Sequence, residues 1–290
     1  MRKALSLLAI LAALPVLGGY LGMLHPLGDS LAVFRLQGAG ALALLSAFAW
    51  RTGALRLGRV GMLIAFVAGA PLVWSYGSAM GPEPGQGLRI YQKNMLFRND
   101  DLAGLAQDIR NTSPDAVMLQ EVSTANLDLM ADLKTEYPHQ LRCDFASVGG
   151  TALVTRLQPV QGQQVCTPGL AALQVQGPQG PLWLVSIHLH WPWPYGQPPH
   201  VQKLLPMLQG LEGPVVMAGD FNMVRWSWAL SAMAGAARVT PAGPVQGTYT
   251  GFAPWLTLPI DHVFAPAGGK VETRPGLGSD HLGLLAEVGL

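Results

Sequence analysis

Apolar and polar residues follow two different regimes along this chain. The first eighty residues contain three long apolar runs. Ala4–Leu24 is a 21-residue stretch without a charge, Leu31–Trp50 carries only Arg35, and Val60–Met80 is again uncharged. Each has close to the roughly 20 residues that span a hydrocarbon core, so membrane helices are predicted at about 4–24, 31–50 and 60–80. A signal peptide also begins with basic residues and an apolar core, but the two further runs argue for an anchor. Arg35 lies near one end of its run, from where a long side chain snorkels to the interface. Trp74 and Tyr76 suit an aromatic belt near the end of the third run. Gly81–Gly87 (GPEPGQG) then reads as a Pro/Gly linker where that helix stops.

From Leu88 onward the apolar runs shorten to strand length and end on polar residues. Leu88–Asn94, Ala116–Leu119, Thr151–Thr155, Ala171–Val175, Leu182–Leu189, Pro214–Met217, Pro259–Phe264 and Leu282–Val288 read as strands. Helices are expected at about Leu102–Arg110, with Leu102, Leu105, Ala106 and Ile109 on one face, and at Ala125–Lys134. Two more are expected at Val201–Leu211, interrupted at Pro206, and at Arg225–Gly235. The recurring order is strand, acidic or amide residue at its end, then helix or loop. Trp191-Pro192-Trp193-Pro194-Tyr195 is excluded from regular structure, because alternating prolines remove ladder donors. This aromatic loop either covers an edge of the core, shapes a substrate pocket, or dips into a membrane interface.

Charge sharpens the division. Only 12% of residues are charged, against roughly 25% in an ordinary soluble protein. Of 18 basic and 17 acidic residues, the first eighty hold six basic (Arg2, Lys3, Arg35, Arg51, Arg56, Arg59) and one acid, Asp29. That leaves twelve basic and sixteen acidic residues, a formal charge of −4, for the rest. Arg2 and Lys3 precede the first run and Arg51, Arg56 and Arg59 separate the second from the third, while His25–Ser30 has no Lys or Arg. The positive-inside rule therefore predicts a multi-pass cell-membrane protein with a cytoplasmic N-terminus and everything after Met80 outside the cytoplasm. Cys143 and Cys166 lack metal-ligand spacing. In an oxidising compartment they form either one disulfide or two free thiols, and spacing does not decide between these.

Candidate chemistry gathers at the strand ends. Asp220 and Asn222 in Ala218-Gly219-Asp220-Phe221-Asn222 are two apart and share a face on an extended backbone. Alone they read as a strand-end turn, where Asp and Asn are common. Glu121, just past a buried strand, alone reads as an exposed cap. His188 and His190 share a face at the end of the long apolar strand, and Asp261 and His262 lie in another. Asp280 and His281 precede the last strand. What changes their weight is their joint occurrence.

Asn94, Gln120-Glu121, His188, Gly219-Asp220-Phe221-Asn222, Ile260-Asp261-His262 and Gly278-Ser279-Asp280-His281 occur in an order and spacing that resembles the DNase I-like endonuclease/exonuclease/phosphatase superfamily. The resemblance covers residues 88–290. It implies a four-layer α/β sandwich, two packed sheets flanked by helices, with the site at one end of the sheets. It implies a divalent-metal-dependent phosphoesterase, with Mg²⁺ expected and Mn²⁺ as an alternative. Glu121 would be the main metal ligand, assisted by Asn94 and Asp280. Oxygen donors of this kind suit a hard cation. Asp220 would orient and deprotonate the attacking water, Asn222 would hold it or a phosphate oxygen, and His188 and His281 would donate to non-bridging oxygens. Asp261 would fix the tautomer of a histidine, His281 first. Leu96 stands where some nucleases carry an acid, which argues against the AP-endonuclease branch, and Gly283 stands where many relatives have Pro. His190 and His262 are assigned to local structure.

The acidic second part lacks the basic footprint of a protein that grips duplex DNA. The expected substrate is therefore a lipid headgroup or small phosphorylated compound, the expected partner a lipid bilayer, and no specific nucleic acid is expected. An extracytoplasmic nuclease is the first alternative. A catalytically silent anchored binding protein is the second, which the complete polar set disfavours.

Overall fold

The computed structural model describes residues 2–77, 87–253 and 256–290. The expected linker (apart from Gly87) and residues 78–80 of the third apolar run lie outside the described residues. Four helices open the chain: α1 (Arg2–Gly18), α2 (Leu27–Ala32), α3 (Arg35–Arg51) and α4 (Leu55–Gly77). Among the described residues only α4 is by itself long and apolar enough to cross a membrane, which corrects the expectation of three such helices. The first and second runs each end up in a 17-residue helix, because their adjoining residues turn instead of extending. Glycines permit that turn. A Cβ at Gly19 would collide with Arg35 and one at Gly28 with the backbone of Gly22. Arg35 is buried with its guanidinium stacked 3.7 Å over the Tyr20 ring. α1 and α4 carry exposed Leu7, Leu11, Leu14, Leu63, Phe66 and Val67.

The remainder is a sandwich. Its strands are β1 (Leu88–Asn94), β2 (Ala116–Val122), β3 (His139–Ala146), β4 (Gly149–Thr155), β5 (Pro159–Thr167), β6 (Leu170–Gly177) and β7 (Gly180–His188). They continue as β8 (Val215–Asp220), β9 (Thr240–Pro241), β10 (Tyr249–Ala253), β11 (Leu256–Leu258), β12 (Asp261–Ala265), β13 (Gly269–Arg274) and β14 (Gly283–Val288). One sheet runs β13-β14-β1-β2-β4-β3, the other β5-β6-β7-β8-β12-β9, and β10-β11 form a separate hairpin. Both large sheets are mixed: β1–β2 and β7–β8 are parallel, their neighbours antiparallel. Ile90, Met118, Leu153, Leu184, Val216 and Ala286 pack between the sheets. Tyr91, Leu105, Ile109 and Leu129 bind α5 (Leu102–Thr112) and α6 (Asp128–Asp132) to the outside of the first. Val201, Leu204, Leu230 and Met233 bind α7 (Gln197–Gln209) and α8 (Trp228–Ala237) to the outside of the second. The result is a DNase I-like α/β sandwich.

Several local expectations shift. The helix expected at Ala125–Lys134 shrinks to the single turn of α6. α7 begins at Gln197 and runs through Pro206, which lies on the exposed face of the helix. Ser227 caps α8 by accepting from Leu230 N–H. Edge strands β3, β5 and β13 lack the continuous apolar runs by which strands are recognised in sequence.

The N-terminal helical segment packs on the sandwich. Asp29 accepts from the N–H groups of Trp228 and Ala229 at 2.8 and 3.0 Å, Trp226 Nε1 donates to the Ala32 carbonyl, and Val245 N–H donates to the Ser75 carbonyl. Ala32 and Val33 complete the core around α8. At the opposite side of the sandwich's rim, Cys143 on β3 and Cys166 on β5 form a disulfide that ties one sheet to the other. Replacing both cysteines by Ser is expected to lower the unfolding free energy by about 2–4 kcal/mol. Chemical denaturation of the detergent-purified protein, read as a lower midpoint, checks this.

Candidate active site

Strand register assembles the polar residues. Asp220 closes β8, and its register partners are His188 on parallel β7 and Asp261 on antiparallel β12. Three side chains separated by 32 and 41 positions in sequence thus stand in one row across the sheet. Gly219 makes the approach possible, since a Cβ there would run into the Ile187 backbone. Phe221 turns into the core, where it meets His262 and Phe264.

The other sheet supplies the opposite wall. Gln92 and Asn94 on β1 point at the second sheet, as the period of two requires. Gln92 Nε2 donates to Gln120 Oε1 and to Asp261 Oδ1, both at 2.8 Å, and Gln120 Nε2 donates to Ser186 Oγ. Asn94 Nδ2 bridges Asp220 Oδ2 at 2.9 Å and Glu121 Oε1 at 3.2 Å, while its own oxygen accepts from Leu96 N–H. Glu121 also accepts from Phe97 N–H at 2.9 Å. The site is strained on both sides: Leu96 and Glu121 on this wall and Asn222 beyond β8 have φ of 64°, 60° and 48°, values that non-glycine residues adopt at a cost and that concentrate at functional sites. At Glu121 the strain accompanies a break in the β2–β4 register, which swings the carboxylate out of the ladder.

Asp220 is the hub. Its Oδ1 accepts from Asn222 N–H, and its Oδ2 lies 3.6 Å from His188 Nε2 and 3.8 Å from His281 Nε2. His281 Nδ1 and Asp261 Oδ2 form a buried 2.8 Å hydrogen bond. Burial alone would pull the His281 imidazole down, but the carboxylates of Asp261 and Asp220 outweigh it and raise it to about 9. Burial would raise Asp261, yet His281 holds it low. Burial raises Asp220 and Glu121, and lowers His188 to about 3, with the neighbouring His281 adding to the effect. His188 is therefore neutral, and its buried Nδ1 has no partner among the described residues. Asn222 donates its amide to the Leu189 carbonyl. His262 bonds the Met223 carbonyl and serves local structure.

Asp220, Asp261 and His281 have donor atoms within 4.8 Å of one another, the spacing of a metal cage. Two of those atoms are already engaged with each other, however, and Asp261 is fully enclosed. The open carboxylates are Glu121 and Asp280, which line a cleft of about 370 Å³ with Asp220, Asn222, His188 and His281. Four carboxylates (Glu121, Asp220, Asp261, Asp280) gather around the buried imidazolium of His281. That excess of negative charge, on oxygen donors, fits a hard divalent cation. Lys93 points away from the cleft and donates to the carbonyls of Pro275, Gly276 and His281, which holds the loop bearing Asp280.

Fold and site together define a metal-dependent hydrolase of ester bonds. The endonuclease/exonuclease/phosphatase family profile matches residues 91–281, two thirds of the chain, and the chain belongs to that family. Similar solved structures include an endonuclease/exonuclease/phosphatase from Beutenbergia cavernae (20% identity, covering 70% of this chain and 72% of that one, TM-score 0.56). A Staphylococcus aureus beta toxin variant with bound magnesium ions matches at 13% identity, 70% and 100% coverage and TM-score 0.53. Sphingomyelinase C from Streptomyces griseocarneus matches at 17%, 70% and 99%, and 0.51. At these identities the likeness is one of fold. No curated protein matches the chain by sequence.

Gln92, Lys93, Ser186 and Asn126, which holds the Glu121 and Leu96 carbonyls, escaped the sequence reading. Gln92 and Lys93 had a signal: adjacent polar residues inside a strand otherwise expected to be buried. The protonated imidazole of His281 persists until pH rises through about 9, so activity that uses its N–H falls there. Asp261→Asn removes the carboxylate bonded to it and is expected to move that basic limb down by about 1–3 pH units. A pH–rate profile of both proteins checks this.

Proposed function

We propose that this is a membrane-anchored phosphoesterase, organised as an anchor (1–80), a linker (81–87) and a catalytic domain (88–290) outside the cytoplasm. It hydrolyses a phosphate ester that is not nucleic acid, a lipid headgroup or small phosphorylated compound, with Mg²⁺ or Mn²⁺. The observation that carries the reading is the convergence of Asn94, His188 and His281 on Asp220 beside the open carboxylates of Glu121 and Asp280. Glu121 and Asp280, with Asn94 assisting, would hold the cation, which supplies charge neutralisation at the phosphoryl group. Asp220, whose raised proton affinity suits a base near neutral pH, accepts a proton from the attacking water. Neutral His188 and charged His281 donate to the non-bridging oxygens, and Asp261 keeps the His281 Nε2–H aimed at them. Asn222 orients the water or an oxygen.

Three features support the membrane setting and its direction. Only an apolar surrounding suits the exposed leucines and phenylalanines of α1, α3 and α4. Lys3, Arg51, Arg56 and Arg59 lie at the helix ends away from the catalytic domain, as positive-inside orientation requires. The Cys143–Cys166 bridge belongs in an oxidising compartment. The acidic catalytic domain supports a substrate other than duplex DNA.

The test is a panel of phospholipid vesicles, small phosphate esters and plasmid DNA, assayed with Mg²⁺ on the full-length protein. Metal-dependent release from a non-nucleic ester is expected, lost at least about 100-fold in Glu121→Ala. Plasmid cleavage without other activity overturns the substrate assignment. A reporter fused at residue 100 is expected to register outside the cytoplasm, and a cytoplasmic signal overturns the orientation.

A further inference from the structure

Two walls of the cleft continue directly onto the anchor. Trp191 and Tyr249 line the cleft and meet edge-to-face at 5.7 Å, and the Tyr249 ring lies 4.9 Å from His281. Two residues beyond Trp191, the Trp193 carbonyl accepts from Ser30 Oγ at 2.6 Å, and its ring meets His25 at 5.8 Å. Three residues beyond Tyr249, Phe252 packs on Phe34 at 5.6 Å. His25, Ser30 and Phe34 belong to the segment that joins α1 to α3. At strand rise, two to three residues cover about 7–10 Å, so the mouth of the cleft lies about that far from the anchor's outer end.

Several large apolar and aromatic side chains near this junction are exposed. Trp193 is 41% exposed, Phe252 53%, Tyr195 68%, Met23 73% and Leu24 76%. Solvent-exposed residues of this size, gathered in one belt around a membrane anchor's end, match the chemistry of the headgroup region, where aromatic rings are apolar on one side and hydrated on the other. A protein surface facing only water gains nothing from such a collar.

We infer that Trp193, Tyr195, Phe252, Met23 and Leu24 form a collar seated in the bilayer interface, which sets the cleft at headgroup level so that it takes a lipid-borne phosphate ester directly from the membrane surface. This rests on the membrane-anchored phosphoesterase reading above and narrows its substrate to one carried by lipid. The same contacts account for the short α1 and α3: residues 19–34 build the collar's base instead of extending the helices.

Two measurements test it on the full-length protein in nanodiscs of phosphatidylcholine and phosphatidylglycerol. Fluorophores attached at Tyr195→Cys and Phe252→Cys are expected to be quenched by lipids spin-labelled near the headgroup. One attached at Gln107→Cys, on α5 in the layer farthest from the anchor, is expected to be unaffected. Equal quenching at all three positions, or none at 195 and 252, overturns the collar. The triple variant Trp193→Ser/Tyr195→Ser/Phe252→Ser is then compared with the parent on bis(4-nitrophenyl) phosphate in solution and on vesicles of the same lipids. At least a tenfold loss on vesicles with the soluble ester unchanged is expected, and this also reports that the variant is folded. Equal loss on both, or hydrolysis by the parent of the soluble ester alone, overturns the lipid-surface substrate. Absence of hydrolysis of either ester by the parent removes the phosphoesterase reading instead, and the quenching result then decides the collar by itself.

Discussion

Everything in the site depends on how β8 is paired. Its last residue, Asp220, is held between His188 of β7 and Asp261 of β12 by backbone ladders on both sides. A slip of one residue in either ladder would turn its whole polar set toward the opposite face. Register is protected where the two sheets meet, because Val216, Ala218, Leu184 and Val263 must stay in the shared core. Hydrophobic packing thereby sets positions of charged groups that no local interaction could hold. The missing side chain at Gly219 is part of the same constraint, since β7 passes where a Cβ would lie.

A second dependence is electrical. Asp220 and Asp261 are both almost fully buried, which would be costly without partners. Asp261 is hydrogen-bonded to His281 and Gln92, whereas Asp220 accepts an amide N–H from Asn94 and a backbone N–H from Asn222 and stands 3.6 and 3.8 Å from the Nε2 atoms of His188 and His281. The two carboxylates are therefore pushed in opposite directions, one toward a permanent counter-charge and one toward a proton acceptor. That separation of roles by environment is how a site obtains an acid and a base from similar groups. The left-handed backbones of Glu121 and Asn222 flank this hub. The surrounding bonds from Asn126, Phe97 and Leu189 hold them there.

The N-terminal helical segment is coupled to the same architecture. Asp29 completes the N-terminus of α8 next to the Ser227 cap, so a residue before the helices' return joins the layer that backs β8. Trp226 and Tyr76 face each other at 6.5 Å across the junction. A domain tied down at several points cannot tumble relative to its helices, which gives the cleft one orientation toward whatever surrounds them.

From the chain alone, the apolar runs and their lengths were sufficient for two regimes, while the α/β sandwich and the group Asn94, Glu121, His188, Asp220, Asn222, Asp261, Asp280 and His281 came from the order of polar motifs that resembles a known family. Such features are local, written in periods of two and 3.6 and in residue type. Pairing is not local. That His188 and Asp261 flank Asp220, that Cys143 meets Cys166, and that Gln92 and Gln120 bridge the sheets followed only from tertiary contacts between residues far apart in sequence. The N-terminal helices differ in length from expectation for the same reason: apolarity sets how far a helix can extend, but the close approach at Gly19, Gly22 and Gly28 sets where it turns. Strain at Glu121 likewise has no sequence signal, because a positive φ in a non-glycine residue exists only when the surrounding structure enforces it.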